Sequence, residues 1–246
     1  MSTSAAILSK KEKKLNKKTI DYIKNKKLVE QNFGSIDVIF KDQIDNVDVD
    51  VDEVFKKVNF LIPDHFLNLI DLVYIGEFEA FKERDINALF ADDTLYISNQ
   101  QDNNEDLLDD IIHELAHAVE NKYGEHIYGD GKIEGEFLLK RNKLKQILTH
   151  QNFDVSELNF LETNYNKEFD SFMYEEIGYE TLQLLTVDLF INPYSLTSLR
   201  EYFASGFEEF YLGKKLYLKD ICPYINRKVM VLHEGPTREE ENERYF

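Results

Sequence analysis

The residues best placed to do chemistry are His113-Glu114-Leu115-Ala116-His117. On an α-helix, positions four apart lie on one face, one turn from each other. Two imidazoles at that spacing can converge on one metal ion. The carboxylate beside the first of them points into the same cavity, where it can take a proton from a water the metal holds. The chemistry implied is zinc-assisted hydrolysis. The chain of 246 residues has only 6 His, so two of them flanking a Glu at this interval is not expected by chance.

The surrounding sequence reads as the helix such a site needs. Asn103 or Asn104 opens it, and Glu105 and Asp106 fill a first turn that favours acids. Leu108, Ile112, Leu115 and Val119 form its apolar stripe, and Gly124 is its expected end. Asp110 and Glu120 extend the histidine face. Asp110 is the expected acceptor for the second N–H of a ligating imidazole. A hydrolytic zinc also requires a third protein ligand and an open position. Glu120 and Tyr123 stand where the longer histidine motif would need a glycine and a third histidine, which leaves a glutamate on a later helix. Glu201, at the start of an aromatic-rich helical run, is the leading candidate. Glu175, Glu176, Glu208 and Glu209 are rivals by spacing.

The block Glu201-Tyr202-Phe203-Ala204-Ser205-Gly206-Phe207 resembles the Glu-Phe-Phe-Ala-Glu-Ala-Phe segment of the anthrax lethal factor catalytic domain and the related Pro-Pro endopeptidases. Those are gluzincin-type zinc peptidases carrying the same His-Glu-x-x-His motif. The resemblance spans roughly residues 90–215 and rests on two short blocks within it. It implies His113, His117 and Glu201 as zinc ligands, Glu114 as general base, and Tyr194, seven residues before Glu201, as hydrogen-bond donor to the oxyanion. Two departures stand out. Ser205 occupies the place of a second glutamate that supports a ligand histidine in the family, so that support must be built differently. The stretch between His117 and Glu201 is also longer, and extra helices within 134–190 are expected to cover or reshape the cleft.

The elements that must position these residues divide the chain in two. Before the motif, alternation at Ile36, Val38 and Phe40 predicts a strand over 35–40. Leu72 to Phe78 is β-rich. Segments 88–91 and 94–98 flank Asp92-Asp93 as a hairpin or as two successive strand pieces. The second of these is the expected edge for an extended substrate. Helices are expected near 52–60 and 64–70. Asp48, Asp50 and Asp52 echo part of a calcium loop, but the required Gly and twelfth-position Glu are missing. After the motif, helices are expected near 134–149, 155–163, 168–190, 196–212 and 219–232. The fold expected is α+β and zincin-like, a small N-terminal sheet and active-site helix followed by a mostly helical part. Residues 1–30 form a basic extension, and 31–246 form one catalytic domain, with strands in 31–104 and the zinc-bearing helical part in 105–246.

Composition narrows the setting. A net charge of -18 repels nucleic acid and anionic lipid, so neither is an expected partner, and a protein or peptide is. Nine lysines against two acids between Lys10 and Lys27 make a local exception, read as a solvated helix or frayed arm. A single cysteine, Cys222, excludes an intramolecular disulfide and reads as a buried thiol. No stretch has the length and apolarity of a membrane span, and the lysine-rich start lacks the apolar run of a secretory signal. These features predict a cytoplasmic protein, with non-classical export or packaging in a virus particle left open. The function expected is a zinc endopeptidase. The alternative is an inactive zincin-fold binding or structural protein, including one from a phage or mobile element. His65, His126, His150 and His233 read as surface or satisfied core histidines.

Overall fold

The computed structural model describes residues 29–34, 36–84 and 86–235. The lysine run at 10–27 lies outside the described residues, as does Ser35. Two strands, β1 (Val29–Phe33) and β2 (Ile36–Phe40), form a hairpin whose turn includes Gly34 at φ 72°, the left-handed region that favours glycine. β1 begins at Val29, so the last two residues of the expected basic extension belong to the sheet. Asp50 accepts the Glu53 N–H and caps α1 (Val51–Leu61), so this aspartate serves a helix start and not a calcium loop. A short α2 (Asp64–Leu67), β3 (Leu72–Ile75) and α3 (Glu79–Arg84) follow.

β4 (Ala88–Ala91) and β5 (Thr94–Ile97) are a true hairpin. Asp92 and Asp93, at φ 51° and 55°, form its two-residue turn. Two left-handed central residues are the signature of the turn whose twist matches a hairpin. The sheet runs β1-β2-β3-β5-β4, with parallel pairing for β2–β3 and β3–β5 and antiparallel pairing at the two ends. This corrects the expected substrate edge. β5 is hydrogen-bonded on both sides, so it has no free edge, and the outer strand at its end of the sheet is β4.

One face of the sheet buries Ile36, Val38, Val73, Ile75, Leu95 and Ile97. Against that core pack α1, through Val54, Phe55 and Val58, and α4 (Asn104–Tyr128), through Leu107, Ile111, Ile112 and Leu115. Asn103 caps α4 by accepting the Asp106 N–H. α4 passes through Gly124 with a kink at Tyr123 (φ -114°, ψ 16°), where one non-helical residue absorbs the bend.

Beyond α4 the described chain is mostly helical: α5 (Lys132–His150), α6 (Lys167–Ser171), a π turn (Phe172–Ile177), α7 (Tyr179–Leu185), a 3-10 turn (Tyr194–Leu196), α8 (Leu199–Leu212), α9 (Lys215–Ile221) and α10 (Pro223–Glu234). The helix expected near 155–163 does not form. Asp154, Asn159 and Glu162 each accept the backbone N–H two residues on, which offers the backbone an alternative to a helical ladder. The long helix expected over 168–190 is broken by the π turn and by Gly178 at φ 84°. The result is an α+β fold with a small mixed sheet and a mostly helical remainder. No helix among the described residues is long and apolar enough to cross a membrane.

Candidate metal centre

α4 and α8 lie side by side, with Phe203 against Tyr128, and Phe66 of α2 packs on Phe207 of α8. Gly206 lets α10 close on the far side of α8: a Cβ there would stand 2.5 Å from Ile225 Cγ2. Ser198 caps α8 by accepting the Glu201 N–H at 3.2 Å, which puts Glu201 in the first helical turn. From there its carboxylate reaches the histidine face of α4. His113 Nε2 lies 3.0 Å from Glu201 Oε2, and His117 Nε2 lies 3.7 Å from the same oxygen. Tetrahedral zinc ligands, each about 2.0–2.1 Å from the ion, sit roughly 3.4 Å from one another. The two observed separations bracket that value. The ligand atoms of His113, Glu114 and His117 also lie within 4.8 Å of one another, so this largely buried group can hold a metal ion.

Each imidazole is backed by a carboxylate on its other nitrogen. His113 Nδ1 lies 3.2 Å from Glu208 Oε2, and His117 Nδ1 lies 3.3 Å from Glu120 Oε2. Glu120 also accepts from the Tyr128 hydroxyl at 2.6 Å and from Arg200 Nε at 2.7 Å. Such backing fixes ring orientation and leaves each Nε2 free to face a metal. Asp110, the expected partner, does not serve. It accepts from Gln101 Nε2 at 2.9 Å, and burial raises its carboxyl to about 6. Glu208, weighed as a ligand, backs His113 instead. It stands seven residues after Glu201, two turns along the same face of α8, and that interval is the signal by which it could have been found. Glu120 follows His117 by three, an equally legible spacing.

The site is electrostatically tight. Burial pulls the His113 pKa down, but hydrogen bonds to Glu201 and Glu208 outweigh it and push the ring to about 10. Burial likewise opposes protonation of His117, and contacts with Glu120 and Glu201 lift it to about 9. Burial would raise Glu201, yet the two imidazoles hold it well below the usual carboxylate range. For the chain by itself, protons thus bind where a cation would, and a divalent ion must displace them.

Glu114 has one oxygen engaged: Oε2 accepts the Phe90 N–H of the outer strand at 2.6 Å. Tyr194 opens the 3-10 turn with its ring 6.0 Å from that of His113. Burial, then Glu201 and Glu114, raise its pKa, so its hydroxyl keeps its proton. No hydrogen bond within the described residues uses that hydroxyl. The remaining rivals lie apart from this cluster. Glu175 and Glu176 are exposed on the π turn, and Glu209 Oε1 accepts the Lys214 N–H at the end of α8. His126 and His150 are exposed, His65 bonds the Leu232 carbonyl, and His233 pairs with the Tyr211 hydroxyl. Compared with protein-family models, curated proteins and solved structures, the chain finds no match.

Proposed function

We propose that the chain is a zinc-dependent endopeptidase with a zincin-like catalytic domain, similar to the lethal factor and Pro-Pro endopeptidase group. The observation that carries this reading is the convergence of both Nε2 atoms on one Glu201 oxygen, with a carboxylate behind each imidazole. A binding protein has no need of that arrangement together with Glu114, whose other oxygen is unengaged, beside it. His113, His117 and Glu201 would hold the ion, two neutral nitrogens and one oxygen being a donor set suited to zinc. When bound, zinc supplies a more acidic water and a polarised scissile carbonyl.

The remaining steps belong to the chain's own side chains. Glu114, anchored by Phe90, takes the water proton on a carboxylate oxygen and passes it to the leaving amine. Tyr194, protonated and unengaged, donates to the oxyanion that develops as the carbonyl is attacked. β4 is the free strand beside Glu114, and an extended substrate would pair along it.

The test is cleavage of a diverse peptide library, with new termini read by mass spectrometry, for wild type and Glu114→Ala loaded with zinc. Cleavage by wild type alone is expected. A zinc-loaded wild type that leaves the library and unfolded proteins intact would sink the peptidase reading and favour a binding role.

A further inference from the structure

Arg141, on α5, is among the largest side chains buried in the protein, at 1% exposure. Burying a guanidinium is costly unless its donors are used, and a hydrophobic residue of similar volume fills space at lower cost. No carboxylate among the described residues makes a salt bridge or hydrogen bond with it. Nη1 donates to the Leu196 carbonyl at 2.7 Å, and Nη2 donates to the Asn159 carbonyl at 3.1 Å. The cation lies 3.6 Å from the Phe169 ring centroid, a close cation–π contact. Nε has no partner. The guanidinium is thus oriented by backbone carbonyls and a ring, and it ties the 3-10 turn, the irregular segment around Asn159 and α6 together.

One of those stretches bears on the site. Leu196 closes the 3-10 turn that Tyr194 opens, and Ser198, two residues on, caps the helix that carries Glu201. Thr197 bonds back to the Tyr194 carbonyl through both its N–H and its hydroxyl. A clamp on Leu196 therefore fixes the turn whose other end sets the Tyr194 ring beside His113. The Tyr194 side chain is 42% exposed and its hydroxyl is unengaged, so its own contacts do not hold it in place.

We infer that Arg141 is a positioning residue for the hydrolysis proposed above, holding Tyr194 at the height from which it reaches the oxyanion. The inference rests on the peptidase reading. It is tested by a double-substitution cycle with Tyr194→Phe, using Arg141→Met, which keeps volume, and Arg141→Lys, which keeps charge but has one head group for the separated carbonyls. Zinc content should stay at the wild-type level, and KM should change less than about twofold. Misplacing a catalytic group by about 1 Å can cost on the order of a hundredfold, so kcat should fall at least tenfold. In the Tyr194→Phe background, either Arg141 change should have almost no further effect on kcat, because the group it positions is gone. Amide exchange over residues 192–198 should rise in both Arg141 variants, and exchange over 110–120 should not. If Arg141→Met fails to fold, Arg141→Lys carries the cycle. Losses in kcat that simply add, or an unchanged kcat, overturn the inference while leaving the peptidase standing. A wild type that binds zinc and cleaves nothing overturns both.

Discussion

His113 and His117 each use both ring nitrogens, one toward the Glu201 oxygen and one toward a supporting carboxylate. The two supports differ. Glu120 is buried and shared with Tyr128 and Arg200, whereas Glu208 is a more solvated residue with a single role at the site. Glu208 stands one turn beyond Ser205, where the resemblance would place a supporting glutamate, and it is the carboxylate that meets His113 Nδ1. Glu208→Gln keeps the shape and removes the charge. Losing such a partner typically weakens metal affinity 10–100-fold. Zinc affinity by chelator competition should fall at least tenfold, with helical content unchanged. Affinity equal to wild type would mean that the 3.2 Å contact does nothing for the metal.

At the scale of elements, the site depends on how closely α8 is held between α4 and α10. Gly206 sets the spacing on the α10 side. In an exposed helix Gly→Ala would gain about 1 kcal/mol from propensity alone. Here the new methyl would lie 2.5 Å from Ile225 Cγ2 and 2.9 Å from Cδ1, and a β-branched side chain has little room to yield. Overpacking of this kind costs roughly 1–3 kcal/mol. Gly206→Ala should therefore lower Tm, and Gly206→Ala with Ile225→Ala should recover part of the loss. A Tm that rises in the single variant would show that α10 can move away freely. The outer strand is the other decisive element. Its Phe90 N–H anchors Glu114, so strand order as well as helix packing sets the position of the proposed base.

For the whole molecule, a metal at this centre would join α4 to α8, two of its principal helices. A ligand at 100 times its Kd adds about 2.7 kcal/mol to stability. Zinc should raise Tm above the chelator-treated protein, and Glu201→Ala should abolish most of that difference. The pH dependence follows from the signs of the shifts. His113 and His117 titrate above the ordinary 6.5, so the stability they give the chain by itself is complete below about pH 6.5. It is lost as pH rises through about 9 and 10. Glu201 is depressed, so its share is complete above its ordinary 4.5 and is lost as pH falls from there through its lowered folded value. Thermal melts in chelator should show Tm declining from pH 7 to 10, with a flatter profile for the His113→Gln, His117→Gln double variant. Zinc affinity should rise over the same interval, since the ligands must shed protons. Identical slopes in both proteins would detach the decline from these histidines.

The sequence by itself determined the features encoded by local spacing. The histidine pair shares a helix face because four residues make one turn. Asn103 caps α4 because its side chain reaches the first free N–H groups. Glu201 stood out because an acid at the head of an aromatic run needs a partner. The two aspartates between β4 and β5 marked a turn for the same local reason. Only the tertiary structure decided which carboxylate meets which imidazole. Asp110 and Glu120 both extend the histidine face of α4, yet the packing gives one to Gln101 and the other to His117. It also decided that β4, not β5, is the outer strand, since strand order in a mixed sheet depends on crossovers that no short pattern records. Arg141 belongs to the same category. A charged residue on a helix reads as solvated, and its burial becomes favourable only once Leu196, Asn159 and Phe169 arrive from distant parts of the chain to surround it.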